Sequence, residues 1–135
     1  MTTNGSDTGK LLLRLACGGL LHPHGLFKVF VEIDSIKAMV SAAGLPAFLA
    51  YGTLVGEILA PVLLIIGWKT RIAALVISFN MLMSILVAHR DIAFKVNDYW
   101  GWMIELNVFF LMTALSVFFI GPGSYSLSRG RGRWH

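Results

Sequence analysis

The sequence predicts an all-α integral membrane protein, a four-helix bundle with a short interfacial helix between spans one and two. Hydrophobic residues make up 56% of the 135 residues and charged residues only 13%, against about 25% charged in an ordinary soluble domain. A soluble chain this short must cover a large surface with polar groups, and eleven basic and seven acidic side chains are too few to do so. Mean hydropathy is +0.74. Apolar residues gather in four runs, at 10–31, 45–68, 72–89 and 99–121, each close to the length, about 20 residues, that crosses a bilayer as a helix. Helices suit lipid because each satisfies its own backbone polar groups.

The elements follow in order. Residues 1–9 are polar and read as a disordered N-terminal segment. The first apolar run carries Arg14 and lacks a small-residue cleavage site, so it is expected to remain as span one rather than leave as a signal peptide. Pro23 removes a backbone donor and is expected to kink that span. Between spans one and two, Asp34 or Ser35 can cap a short helix that Gly44 ends. Its residues Ile36, Met39, Val40 and Ala43 share one face, as in a helix lying on the membrane surface; an ordinary loop fits the segment too. Pro61 interrupts span two, and Gly67 to Arg71 form a tight turn before span three. Asp91 to Asp98 separate spans three and four, and Gly121-Pro122-Gly123 stop the last helix. One four-span domain over residues 10–123 is thus followed by a basic cytoplasmic tail over 124–135.

Net charge is +4 and the isoelectric point about 9.6. Topology, not nucleic acid, accounts for this excess. With four spans, Lys10, Arg14, Lys69, Arg71, Arg129, Arg131 and Arg133 fall on the side of the termini, and Lys28, Lys37, Arg90 and Lys95 on the other. Basic residues favour the cytoplasm, which places both termini there. Trp100 and Trp102 mark the outer interface and Trp68 the inner one. The lone Cys17 excludes an internal disulfide. Neither a CxxC pair nor a zinc spacing occurs, and no metal site is expected.

Ionisable groups within a span usually face protein or a water-filled cavity. At about 100° per residue, Arg14, Gly18, Leu21, Gly25 and Lys28 form one stripe of span one. Its glycines admit a close neighbouring helix. His24, Lys28, His89 and Glu105 fall in the outer half, with Glu57 and Asn80 near mid-depth. These six residues define a candidate polar pocket in which Lys28 pairs with Glu105 or Glu57 and a histidine titrates nearby. Such a pocket suits a quinone head group or proton passage. The same groups also fit a purely structural role, with Lys28 snorkelling to the interface and Asn80 joining helices. Four short helices leave little interior room for a ligand, which favours a homo-oligomer.

In Leu12-Leu13-Arg14-Leu15, Gly18-Gly19, His24-Gly25 and Lys28 the chain resembles the first span of the DoxX family. Gly44-Leu45-Pro46, Glu57, Gly67 and Thr70-Arg71 are similar to its middle, and Gly121-Pro122-Gly123-Ser124-Tyr125-Ser126-Leu127 to its ending. The resemblance, over roughly residues 10–128, implies a small bacterial inner-membrane protein with four spans. The family takes its name from a subunit of a thiosulfate:quinone oxidoreductase, so a redox-complex subunit with redox partner proteins is the expected role. Arg14, His24, Lys28, Glu57 and Arg71 match the family pattern; His22 lies outside it. A membrane scaffold that docks other proteins, and a pathway for small solutes or protons, remain open as alternatives to that role.

Overall fold

The computed structural model describes residues 4–129 and 134; residues 1–3, 130–133 and 135, with the expected tail charges Arg131 and Arg133, lie outside that description. Helix α1 runs Asn4–Phe27 and continues through a wider π-helical turn, Lys28–Glu32. Helix α2 is Ile33–Ala42, so the segment expected between spans one and two is helical. Helix α3 is Ala47–Ile66. It opens on a 3-10 turn at Ala47–Tyr51 and contains a second π-helical turn at Val55–Leu59. Helix α4 is Thr70–Ala88 and helix α5 is Glu105–Ile120. The described residues form a helical bundle with a single isolated bridge, Val96 to Trp102, in the α4–α5 connection.

Side-chain burial places lipid on the outside. Helices α3 and α4 each have a mean hydropathy of 2.0, yet only 33% and 28% of their apolar windows are buried inside the protein. A core helix in a water-soluble protein would be mostly covered. Phe30, Phe48, Phe79 and Phe119 instead stand outward with most of their surface uncovered. The interior is a narrow seam of Cys17, Leu21, Leu64, Ile77, Met81, Phe110 and Val117, with Ala60, Ala73, Ala74 and Ala114 where helices come closest. Small residues of this kind let helices pack in lipid, where hydrophobic burial offers little drive.

Two expected boundaries move. The segment 1–9 is not disordered from Asn4 onward, because α1 begins there. Asp7 accepts a hydrogen bond from Ser124 Oγ and pairs with Lys10 at 3.6 Å, which docks the first turn on the chain's far end. The last span begins at Glu105, not 99. Asn97 Oδ1 accepts the amides of Tyr99 and Gly101, and Trp100 takes a left-handed φ of 62°. That turn chemistry competes with helix, so Trp100 and Trp102 lie on a hairpin.

The end of the bundle that carries both termini is organised by Arg14, which is 1% exposed. Its guanidinium donates to the carbonyls of Leu64, Ile65, Pro122 and Tyr125 at 2.7–2.8 Å. The last turn of any helix leaves carbonyls without partners; here α3 has none to spare. Leu63 O accepts the amides of Gly67 and Trp68, Leu64 O and Ile65 O accept Arg14, and Ile66 O accepts the Leu127 amide. Gly67 sits at φ 74°, a left-handed helix end that glycine adopts without strain. The residues after α5 therefore form a strap across the α3–α4 turn, and the first part of the expected tail is docked structure.

Removing the guanidinium strands several buried carbonyls. Arg14→Leu should lower stability in detergent by about 3 kcal/mol or more, read as a drop in the thermal unfolding midpoint. Arg14→Lys should lose less, because an ammonium has three donors in place of five. The strap should also respond to acid. Hydrogen bonds from Ser124 hold the Asp7 carboxyl below its ordinary value, with Lys10 assisting. A carboxyl lowered in the folded state contributes stability above its unfolded pKa, near 4, and loses it as pH falls through the folded value. Hydrogen exchange at the Leu127 and Ser128 amides should thus accelerate below about pH 4 relative to the intrinsic rate, and Asp7→Asn should remove that step.

Candidate functional site

At the opposite end of the bundle, two charges meet where two helices are locally unwound. Lys28 opens the π-helical turn after α1, and Glu57 occupies the π-helical turn inside α3. Pro61 accounts for the second turn: it has no N–H to offer the Glu57 carbonyl and crowds it, and the Ala60 amide bonds back to Val55 instead. Single π turns of this kind recur at functional sites. Lys28 Nζ donates to Glu57 Oε1 at 2.7 Å, and Asn80 Nδ2 of α4 donates to the same oxygen at 2.9 Å. Glu57 is wholly buried, and its Oε2 has no hydrogen-bond partner among the described residues. The Lys28 side chain keeps about a quarter of its surface.

Glycines bring the three elements this close. A Cβ at Gly25 would lie 2.5 Å from the Glu57 carbonyl oxygen, and one at Gly56 would lie 2.5 Å from Asn80 Cβ. On the same stripe of α1, a Cβ at Gly18 would meet Ile65 Cγ1 at 2.7 Å. Arg14, Gly18, Leu21 and Gly25 are all buried, so the stripe read from the sequence is the seam against α3.

Beside the ion pair lies a cavity of about 630 Å³, within the usual range for small-molecule sites. Little interior room was expected of four short helices. The room exists because α2 roofs the gap between α3 and α4. Its Ile36, Met39 and Val40 face Val76, Phe79 and Met83 of α4 across the cavity, which is apolar apart from a few groups. Lys37 of α2 lies 5.0 Å from the centre of the Tyr51 ring and ties the roof to α3.

Of the six pocket residues expected, Lys28, Glu57, Asn80 and His89 line this cavity. His89 Nδ1 lies 3.0 Å from the Ser84 carbonyl oxygen, and Ser84 Oγ accepts Asn107 Nδ2 of α5 at 3.2 Å. A neutral His89 donating from Nδ1 has its lone pair on Nε2. His24 and Glu105 lie elsewhere. His24 is exposed and packs edge-on against Phe110. Pro23 does not turn it inward, because α1 stays regular to Phe27. Glu105 is exposed at the start of α5, beside the hairpin rather than Lys28. Lys69, exposed in the α3–α4 turn, sits over Trp68, and Arg71 lies beside Gly121 at the strap. Gly56 went unnamed in the sequence, and the α2 residues Ile36, Met39 and Val40 were read as the face of a surface helix rather than as a pocket wall. The Gly56-Glu57 pair was a readable signal, since glycine next to a buried carboxylate marks a close approach.

The family model for DoxX matches residues 9–90. The chain belongs to the DoxX family. Every cavity-lining residue, from Lys28 to His89, falls inside the matched segment, whereas α5 and the strap fall outside it. This DoxX-family membrane protein is also similar to a Bacillus subtilis (strain 168) protein described as "Putative oxidoreductase CatD", with 28% identity over 101 residues and 75% of each chain covered. No solved structure matches the chain at a significant level.

The close approaches set an internal comparison. Gly25→Ala and Gly56→Ala should each cost about 1–3 kcal/mol and loosen the Lys28–Glu57–Asn80 cluster. Gly19→Ala, where a Cβ meets nothing within 4 Å, should leave the unfolding midpoint unchanged or raise it, since alanine suits a helix interior better than glycine. Thermal melts of the three variants in one detergent make the measurement.

Proposed function

We propose that this DoxX-family protein is a membrane subunit of a quinone-linked redox complex and holds a quinone head group in the cavity under α2. The observation that carries this is the chemistry of the cavity wall: an apolar chamber with an ion pair at one side and lipid-facing residues at another. Phe79, Val55, Leu49 and Met39 all border the cavity and are also exposed on the outside of the bundle. A ligand dissolved in the bilayer could thus enter sideways and leave an apolar tail among the lipids. Lys28 has protons beyond the one given to Glu57, and these can donate to a quinone carbonyl. The His89 lone pair offers a second polar contact. Electron transfer would fall to a partner protein. The balance of basic residues supports a bacterial inner-membrane location with both termini in the cytoplasm, which sets the cavity in the outer half of the bilayer.

Extraction of the protein purified in mild detergent, followed by mass spectrometry, should recover a bound quinone. Glu57→Gln and Lys28→Met should weaken retention about tenfold or more, as loss of a charged hydrogen bond does. His24→Ala, remote from the cavity, should retain it fully. Wild-type protein that carries no quinone and shows no measurable affinity for one would rule the assignment out.

A further inference from the structure

Helix α5 is too short to span a bilayer unaided. Its 16 residues extend about 24 Å at 1.5 Å each, against a hydrocarbon core of about 30 Å. Helix α4 has 19 residues, about 29 Å by the same rise. The shortfall lies at one end only. At the end with the termini, Gly121 just past α5 lies beside Arg71 in the first turn of α4, so the two helices are level there. At the other end Asn107 of α5 is level with Ser84 of α4, to which it bonds. Beyond that level α4 runs four more residues, to Ala88, whereas α5 ends two residues away, at Glu105.

The missing depth coincides with the hairpin 93–104. Phe94, Tyr99 and Trp100 are each at least 90% exposed, and Val96 and Met103 are exposed beside them. The hairpin is also closed on itself. The Asn97 amide bonds Gly101 O, the Met103 amide bonds Lys95 O, and the Trp100 amide bonds Asn97 O. Asn97 Oδ1 takes the Tyr99 and Gly101 amides, and Trp102 Nε1 donates to Ala93 O. Lipid-exposed non-helical backbone is excluded from the hydrocarbon core, so such a hairpin belongs at the headgroup level, where tyrosine and tryptophan concentrate. Bare aromatic surface on this scale marks a contact surface rather than an ordinary water-exposed loop.

We infer that the 93–104 hairpin is immersed in the lipid interface and supplies the outermost layer of the fourth span, with the bilayer itself as its binding partner. Phe94 and Trp100 reach the upper acyl chains, while the exposed Lys95 and Asp98 stay among the head groups.

Depth-dependent quenching tests this in the full chain. Trp68→Phe, Trp102→Phe and Trp134→Phe together leave Trp100 as the sole tryptophan. In phosphatidylcholine vesicles, lipids brominated high on the acyl chain should abolish most of its emission, and aqueous iodide should have little effect. A nitroxide on Tyr99→Cys gives an independent reading if the triple variant folds poorly. Lipid-dissolved oxygen should relax that label more strongly than an aqueous nickel chelate. Strong iodide quenching, or a nickel-dominated label, overturns the inference. So does shielding from lipid and water alike, which would mark the hairpin as a protein-docking surface.

Discussion

A guanidinium sealed inside a bundle must find all of its hydrogen-bond acceptors in protein, and Arg14 finds four, every one a backbone carbonyl. Two of them belong to the last turn of α3, where the carbonyls of a helix concentrate negative partial charge. The other two belong to the strap after α5. One side chain thereby fixes the register of α1 against α3, closes the end of α3, and fastens the far end of the chain. The choice of carbonyls over a carboxylate has its own logic. No acid lies within ion-pair distance of Arg14 among the described residues, so its clamp carries no second titrating group and is not undone when a partner gains a proton.

The other end of the protein solves the complementary problem, an acid without water. Glu57 is answered by a cation from α1 and an amide from α4. Both solutions rest on the same stripe of α1, in which Arg14 and Lys28 are separated by two glycines and a leucine that let α3 lie flush. The stripe fixes the distance between the clamp and the site. Any rigid rotation of α1 that moved one cation would move the other.

Much of this was legible in the residues. Hydropathy runs gave the helices, because lipid imposes a length on them that water does not. A helical period of 100° picked out the α1 stripe, and depth left Lys28 to pair with either Glu105 or Glu57. What escaped was what backbone detail decides. Glu105 was grouped with the pocket by depth, and His24 by depth and by standing one turn before Lys28; the uninterrupted turn of α1 through Phe27 points His24 outward, and the delayed start of α5 leaves Glu105 at the helix edge. The Asn97 turn could be recognised as a break but not as a closed hairpin, since its bonds join residues whose pairing depends on a left-handed Trp100. The cavity depends on two π-helical turns and on where α2 comes to rest, neither of which has a hydrophobic period to announce it.

The joint between α1 and α2 gives the cavity a mechanical character. Lys28 and the roofing residues of α2 belong to one nearly continuous helical run, bent at Glu32, where φ reaches −114°. Roof and charge are therefore geared together. A tilt of α2 at that bend would be felt at the lysine four residues before it, and through it at Glu57.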